Sequence, residues 1–270
     1  MRRILALAVL LLPLTLFGQA KFAGRASVEA DYKISKGFHI TAEEEVRVAD
    51  GLAGLSSLRT TLGASYKVNK YFKLGAGYTL INPYKDTWQA FNAPRHRFYA
   101  DVAGYYKVGD FQFSLRERLQ LTHRTGEFNV YQNTPNALAL KSRIGVKYKR
   151  IKAFEPSLSF EMRTALNDPW GNIDESQGLL TKKSGDRAGE TYYVYEHTGY
   201  NHVYNNRYRI NIGADWSLAR HHTFSPYLML DYCTDYEIDT NGSGTKLYTA
   251  TTGYSDVFRI SIGLSYKFSF

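Results

Sequence analysis

The chain carries one cysteine, Cys233, in 270 residues, so an internal disulfide is excluded. It has only seven prolines. Beyond residue 20 it has no apolar run near the roughly 18 residues that a spanning helix needs. With a mean hydropathy of −0.37, this excludes a helical membrane protein. A nucleophile elbow and a zincin motif are both missing. Gly75-Ala76-Gly77 and Gly242-Ser243-Gly244 are not phosphate loops, because the first lies within a strand pattern and the second at a loop tip.

Tyrosine and glycine are abundant, at 22 residues each. Together they favour strands and tight turns over helices. Residues 1–20 read as a cleaved secretory signal peptide. Arg2 and Arg3 form its basic start, Ile4 to Phe17 its apolar stretch, and Gly18-Gln19-Ala20 its small-x-small cleavage site. No cysteine follows the apolar stretch, which excludes a lipoprotein anchor. Residues 21–270 are then a single domain. The formal charge of +9 suits a surface of anionic lipid phosphates, and export argues against nucleic acid as a partner.

Alternation is the main signal. Phe258, Ile260, Ile262, Leu264, Tyr266, Phe268 and Phe270 are separated by Arg259, Ser261, Gly263, Ser265, Lys267 and Ser269. Period two over this length describes a strand with one apolar and one polar face. Similar stretches occur near 25–35, 38–48, 57–68, 71–80, 95–107, 111–121, 138–149, 154–164, 204–218, 223–232 and 256–270. Short turns follow the odd-numbered stretches, at Lys36-Gly37, Asn69-Lys70, Val108 to Asp110, Arg150 to Ala153 and Ala219 to His222. Long connections follow the even-numbered ones, at 49–56, 81–94, 122–137, 165–203 and 233–255. That asymmetry belongs to antiparallel up-and-down transmembrane β-barrels with periplasmic turns and extracellular loops.

Aromatics mark the short-turn rim. Tyr32, Tyr66, Tyr106, Tyr148, Trp216 and Tyr266 precede a turn or the chain end, and Phe38, Phe72, Phe111, Phe154 and Phe224 open the returning strands. With the terminal Phe270, they form a periplasmic aromatic girdle. Gly63, Gly145, Gly213 and Gly263 precede a Tyr or Trp by three residues, and their role is structural. Eleven stretches sit awkwardly with the even strand numbers of bacterial barrels, so about twelve strands (10–12) are expected. A miscounted strand, an irregular N-terminal segment, or a parallel closure of first on last would each resolve the conflict.

Ala42-Glu43-Glu44-Glu45-Val46-Arg47, the Tyr71 to Tyr78 stretch YFKLGAGY, and Pro94-Arg95-His96-Arg97-Phe98-Tyr99-Ala100-Asp101 carry a resemblance. By these and by its hairpin rhythm, the chain resembles the uncharacterised Bacteroidetes outer-membrane family, domain of unknown function 2490. The resemblance implies an outer-membrane location and supplies no activity, cofactor or catalytic residue.

The inward phase holds the candidate site. Glu29, Asp31, Glu43 and Glu45 form an acidic arc; Arg95, Arg97, Arg116, Arg118, Lys141, Arg143, Lys147, Arg207 and Arg209 form a basic one. One reading is a transverse field across a porin-like passage for a small polar solute. The other is a narrow lumen filled by salt bridges. Glu44 and Glu117 fall on the lipid phase, where a charge at mid-depth costs a few kcal/mol, so the alternation is expected to slip near them.

His96, with Ser142, would be a lipid-acting enzyme's catalytic pair. No third group is spaced to orient the histidine, and the alternative is an interfacial cluster that meets lipid or lipopolysaccharide phosphates. His197, His202, His221 and His222, with Asp174, Glu175 and Glu196, match no known metal spacing. Tyr192, Tyr193, Tyr195 and Tyr200 suit a binding loop, although they name no protein partner. The leading expectation is a non-enzymatic barrel in the bacterial outer membrane, without cofactor, in contact with membrane lipid and lipopolysaccharide.

Overall fold

The computed structural model describes residues 21–270 except 53, 86–87, 152, 186–187, 190 and 242–245. The signal-peptide segment and Gly242-Ser243-Gly244 lie outside the described residues, as do the side chains of Glu175, Tyr193 and Tyr195. The fold is all-β. Its strands are β1 (Lys21–Ser35), β2 (Phe38–Val48), β3 (Leu55–Lys67), β4 (Phe72–Lys85), β5 (Ala90–Phe91), β6 (Arg95–Val108) and β7 (Phe111–Arg124). They continue with β8 (Asn136–Tyr148), β9 (Phe154–Ile173), β10 (Leu180–Thr181), β11 (Thr191–Ala219), β12 (His222–Asn241) and β13 (Lys246–Ser269). The two-residue strands β5 and β10 lie outside the ring, on β4 and β11.

The other eleven strands close a barrel. Each pairs antiparallel with its neighbours except at one seam, where β1 runs parallel to β13 from Lys21↔Arg259 to Asp31↔Ser269. The odd count requires this. An up-and-down chain of eleven strands begins and ends in the same direction, so its first and last strands meet in parallel. The conflict over strand number is thereby resolved at eleven, within the expected ten to twelve.

Local chemistry makes the short turns. Gly37 takes a φ of 85°, where a side chain would be strained. At the β3–β4 turn, Asn69 Oδ1 accepts from the backbone N–H of Tyr71 (2.7 Å) and of Phe72 (2.9 Å).

The two longest connections are corrected. Much of 165–203 and 233–255 is strand, because β9 and β12 continue past the apolar zone and β11 and β13 begin before it. Period two fails there because the β9–β11 register shifts four times between His197 and Arg207. Each bulge turns the following side chains to the other face. The start of β11 also pairs with the start of β13, from Tyr193↔Thr249 to Glu196↔Lys246, so a crest stands above this rim.

The barrel is inside-out relative to a soluble protein. Val102, Leu115, Ile144 and Leu158 project from the outer wall, and Ile262 is 66% exposed. Tyr32, Tyr66, Phe72, Tyr106, Phe111, Phe154, Trp216 and Phe270 are exposed around the short-turn rim. Tyr148 packs on Phe111 (5.1 Å between rings) and Tyr266 on Phe224 (4.9 Å).

Glu44 and Glu117 also stay on the outer wall. The β1–β2 and β2–β3 registers pass Glu44 without a shift, and both registers of β7 are continuous through Glu117. The expected slips are therefore overturned. For Glu117 the reason is a local partner: Ser142, also on the outer wall, donates Oγ–H to its carboxylate at 2.6 Å. Nothing in the structure explains Glu44.

Candidate functional site

Alternation sends most polar residues of the eleven ring strands into the lumen, and backbone ladders hold them there. Two inward tyrosines lie over glycines of nearby strands. A Cβ on Gly63 would meet Tyr99 Oη at 3.0 Å, and one on Gly213 would meet Tyr227 Cβ at 3.0 Å. At Gly77 and Gly263 the added carbon would overlap the rings of Tyr99 and Tyr227 outright. These glycines make room for specific aromatic rings.

A charged knot occupies the middle. Glu161, on β9, has a side chain 5% exposed, and it accepts from three arginines. Arg116 reaches it at 3.1 Å, Arg143 at 2.8 Å and Arg209 at 3.2 Å. Arg209 also donates to Asp231 at 3.0 Å, and Asp231 lies 3.3 Å from Arg207. The knot ties β7, β8, β9, β11 and β12 together. Beside it Arg118 donates to Asp101 at 2.5 Å and lies over the Tyr99 ring, 3.9 Å from its centre. Cys233 is buried and accepts from Arg207 at 3.3 Å, so it is a packed thiol.

The short-turn half is more evenly paired. Lys267 joins Glu29 (2.9 Å) and Asp31 (2.6 Å) across the parallel seam, and His39 meets Asp31 at 2.9 Å. Lys147 pairs with Asp215, and Lys149 with Glu155 at 2.5 Å. Toward the long-loop rim, Arg47 donates to Glu45 at 2.6 Å.

Two cavities lie in the lumen among the described residues. The larger, about 530 Å³, is lined by Glu29, Asp31, Glu43 and Glu45 of the acidic arc. Of the basic arc, Arg97, Arg116, Arg118, Lys141, Arg143 and Arg209 line it. A smaller one, about 300 Å³, opens toward the long-loop rim against Arg207. Arg95 lies at that rim, opposite Arg124 in the β6–β7 ladder. Lys147 sits in the short-turn half, apart from both.

The two arcs are interleaved rather than separate. Arg25, Arg47, Arg59 and Lys267 stand among the acids, and Asp101, Glu161, Asp215 and Asp231 among the bases. Sequence reasoning missed these residues, together with Tyr99 and Tyr227. The signal was available for Glu161 and Asp231, since both fall on the inward phase of strands already recognised.

Other candidates sit elsewhere. His96 is on the outer wall at the long-loop rim, where its Nδ1 shares a 2.7 Å hydrogen bond with Tyr78 Oη. His123 lies opposite it on β7 and meets Asn136 at 2.8 Å. Ser142 is six residues along β8 from Asn136, about 20 Å at the rise of a strand. The structure therefore does not bring His96 and Ser142 together.

His197 packs between Tyr131 (5.8 Å) and Tyr200 (4.4 Å), and His202 against Trp170 (4.8 Å) and Tyr204 (5.0 Å). Asp174 accepts from Ser176 and Gln177 in the turn after β9. Tyr192 pairs opposite Leu180, and Glu196 opposite Lys246. His221 bonds the Ser269 carbonyl (2.6 Å) and His222 the Tyr266 hydroxyl (2.7 Å), at the opposite rim from the crest.

Residues 26–269 match the model of a family described as Protein of unknown function (DUF2490). No curated protein matches the chain.

Proposed function

From its membership of the family of unknown function 2490, to which this chain belongs, and from its geometry, we propose that the protein is an outer-membrane β-barrel with a narrow, charge-lined passage for small polar solutes. One observation carries the membrane reading: a closed barrel gathers most of its strand charges inside and holds large apolar side chains on an exposed outer wall. Taking one such side chain out of water is worth about 1.5–3 kcal/mol. A wall of them is a large cost in water and a gain in hydrocarbon. Strands of 11 residues or more suffice, since a tilted membrane strand needs about 9–11.

The exposed aromatics at the short-turn rim fit a membrane–water interface, and short turns belong on the periplasmic side. The crest and long loops then face outward. The Glu161 knot sets the gauge of the passage. It also favours a second reading, in which the knot closes the lumen and the barrel serves the membrane as structure.

Fractionation and conductance test the proposal together. The protein should sediment with outer-membrane vesicles, and the refolded barrel should give small, stable steps in a planar bilayer. Recovery as a soluble periplasmic protein would overturn the membrane reading. A folded, silent barrel would leave only the closed one.

A further inference from the structure

In the outer half of the lumen, arginines crowd together and share carboxylates. The smaller cavity touches Arg25, Arg47, Arg59 and Arg207, and among the described residues Asp231 is the acid that lines it. That carboxylate already serves Arg207 at 3.3 Å and Arg209 at 3.0 Å. Glu45 is shared in the same way, 2.6 Å from Arg47 and 3.8 Å from Arg59.

Arg97 lies one level deeper. Arg163, Arg47, Arg207 and Arg95 are neighbours of like charge. Its Nε–H donates to the neutral Thr122 hydroxyl at 3.1 Å. The Nε–H groups of Arg124 and Arg163 are buried without a hydrogen-bond partner. Arg25, Arg47 and Arg59 line both cavities, so they form the junction between them.

Confined guanidiniums repel one another, and the low-dielectric wall strengthens that repulsion. A counter-anion at the junction relieves it. Guanidinium forks match the paired oxygens of phosphate and carboxylate groups better than a spherical halide. The chamber is compact, which favours a small anion over a polymer.

We propose that this chamber is a binding site for a free, compact oxyanion of the phosphate class, held by Arg25, Arg47, Arg59 and Arg97. The site goes beyond the passage reading, because an anion binds there whether or not solute crosses the barrel.

Titration calorimetry with inorganic phosphate tests it on barrel refolded in detergent micelles, at constant ionic strength with chloride as the reference anion. The wild type should bind saturably at one site. Arg59→Gln and Arg97→Gln should each weaken binding about tenfold or more, the scale of one lost charge-assisted hydrogen bond. Arg59→Lys should fall between wild type and Arg59→Gln, because it keeps the charge and loses the fork. Lys73→Gln, which lines only the larger cavity, should bind as wild type does.

The proposal is overturned by wild type that takes up phosphate no better than chloride, by Arg59→Gln and Arg97→Gln binding unchanged, or by equal loss in Lys73→Gln. Circular dichroism confirms the fold of each variant, and Arg59→Lys decides the matter should either glutamine variant fail to fold. Micelles remove location and conductance from the measurement. Its failure therefore leaves the membrane reading standing, and failure of that reading leaves the binding result intact.

Discussion

Replacing Glu161 by Gln tests whether the knot holds the barrel together. The substitution keeps the side chain's shape and removes the charge that Arg116, Arg143 and Arg209 share. Removing one partner of a buried ion pair costs about 3–5 kcal/mol, because an uncompensated charge stays behind. Three arginines raise that cost. Water in the adjoining cavity lowers it, since the Arg116 and Arg143 side chains are 25% and 34% exposed.

The two corrections oppose each other, so the expectation remains a loss of about 3–5 kcal/mol. Urea unfolding of the refolded barrel in micelles, followed by tryptophan fluorescence, should show a lower midpoint at unchanged slope. Adding Arg143→Gln should recover part of the loss, because one unanswered cation is removed, and the double-mutant cycle isolates that coupling. A loss below about 1 kcal/mol, the range of exposed pairs, would refute the reasoning and make the knot a solvated set of side chains.

Gly263→Ala should cost about 1–3 kcal/mol by overpacking against the Tyr227 ring. In a Tyr227→Ala background the same change should be nearly neutral by the same unfolding assay; an equal cost in both would remove the close-approach explanation. The parallel seam places the start of β1 and the end of β13 at opposite rims. Epitopes inserted before Lys21 and after Phe270 should therefore be reached from opposite faces of oriented membrane vesicles. Labelling of both from one face would contradict the seam.

Much of the fold was legible in the sequence for a local reason. A strand with lipid-compatible and lumenal faces must alternate, so each strand announces itself and its inward phase without reference to any other. Gly37 and Asn69 mark their turns in the same local way. The strands faded from view where the sequence stops alternating, as over 191–195 and 246–253, and where bulges break the period, as between His197 and Arg207. Glu117 misled because ladder continuity outweighs one side chain's preference. For Glu117, the serine that satisfies it is 25 residues away.

The candidate site divides along the same line. Which residues share the inward phase of a strand follows from period two. Which charge meets which does not follow. Arg116 and Arg209 lie 45 and 48 residues from Glu161, on strands that reach it only around the ring. Periodicity carries no register between strands.

By itself, then, the sequence determined an alternating barrel, its two faces and its short-turn rim, because each is a property of one strand or one turn. The tertiary structure alone decided the parallel seam at eleven strands, the Glu161 knot and the arginine junction above it. Those depend on closure, which brings distant strands to a common level inside the barrel.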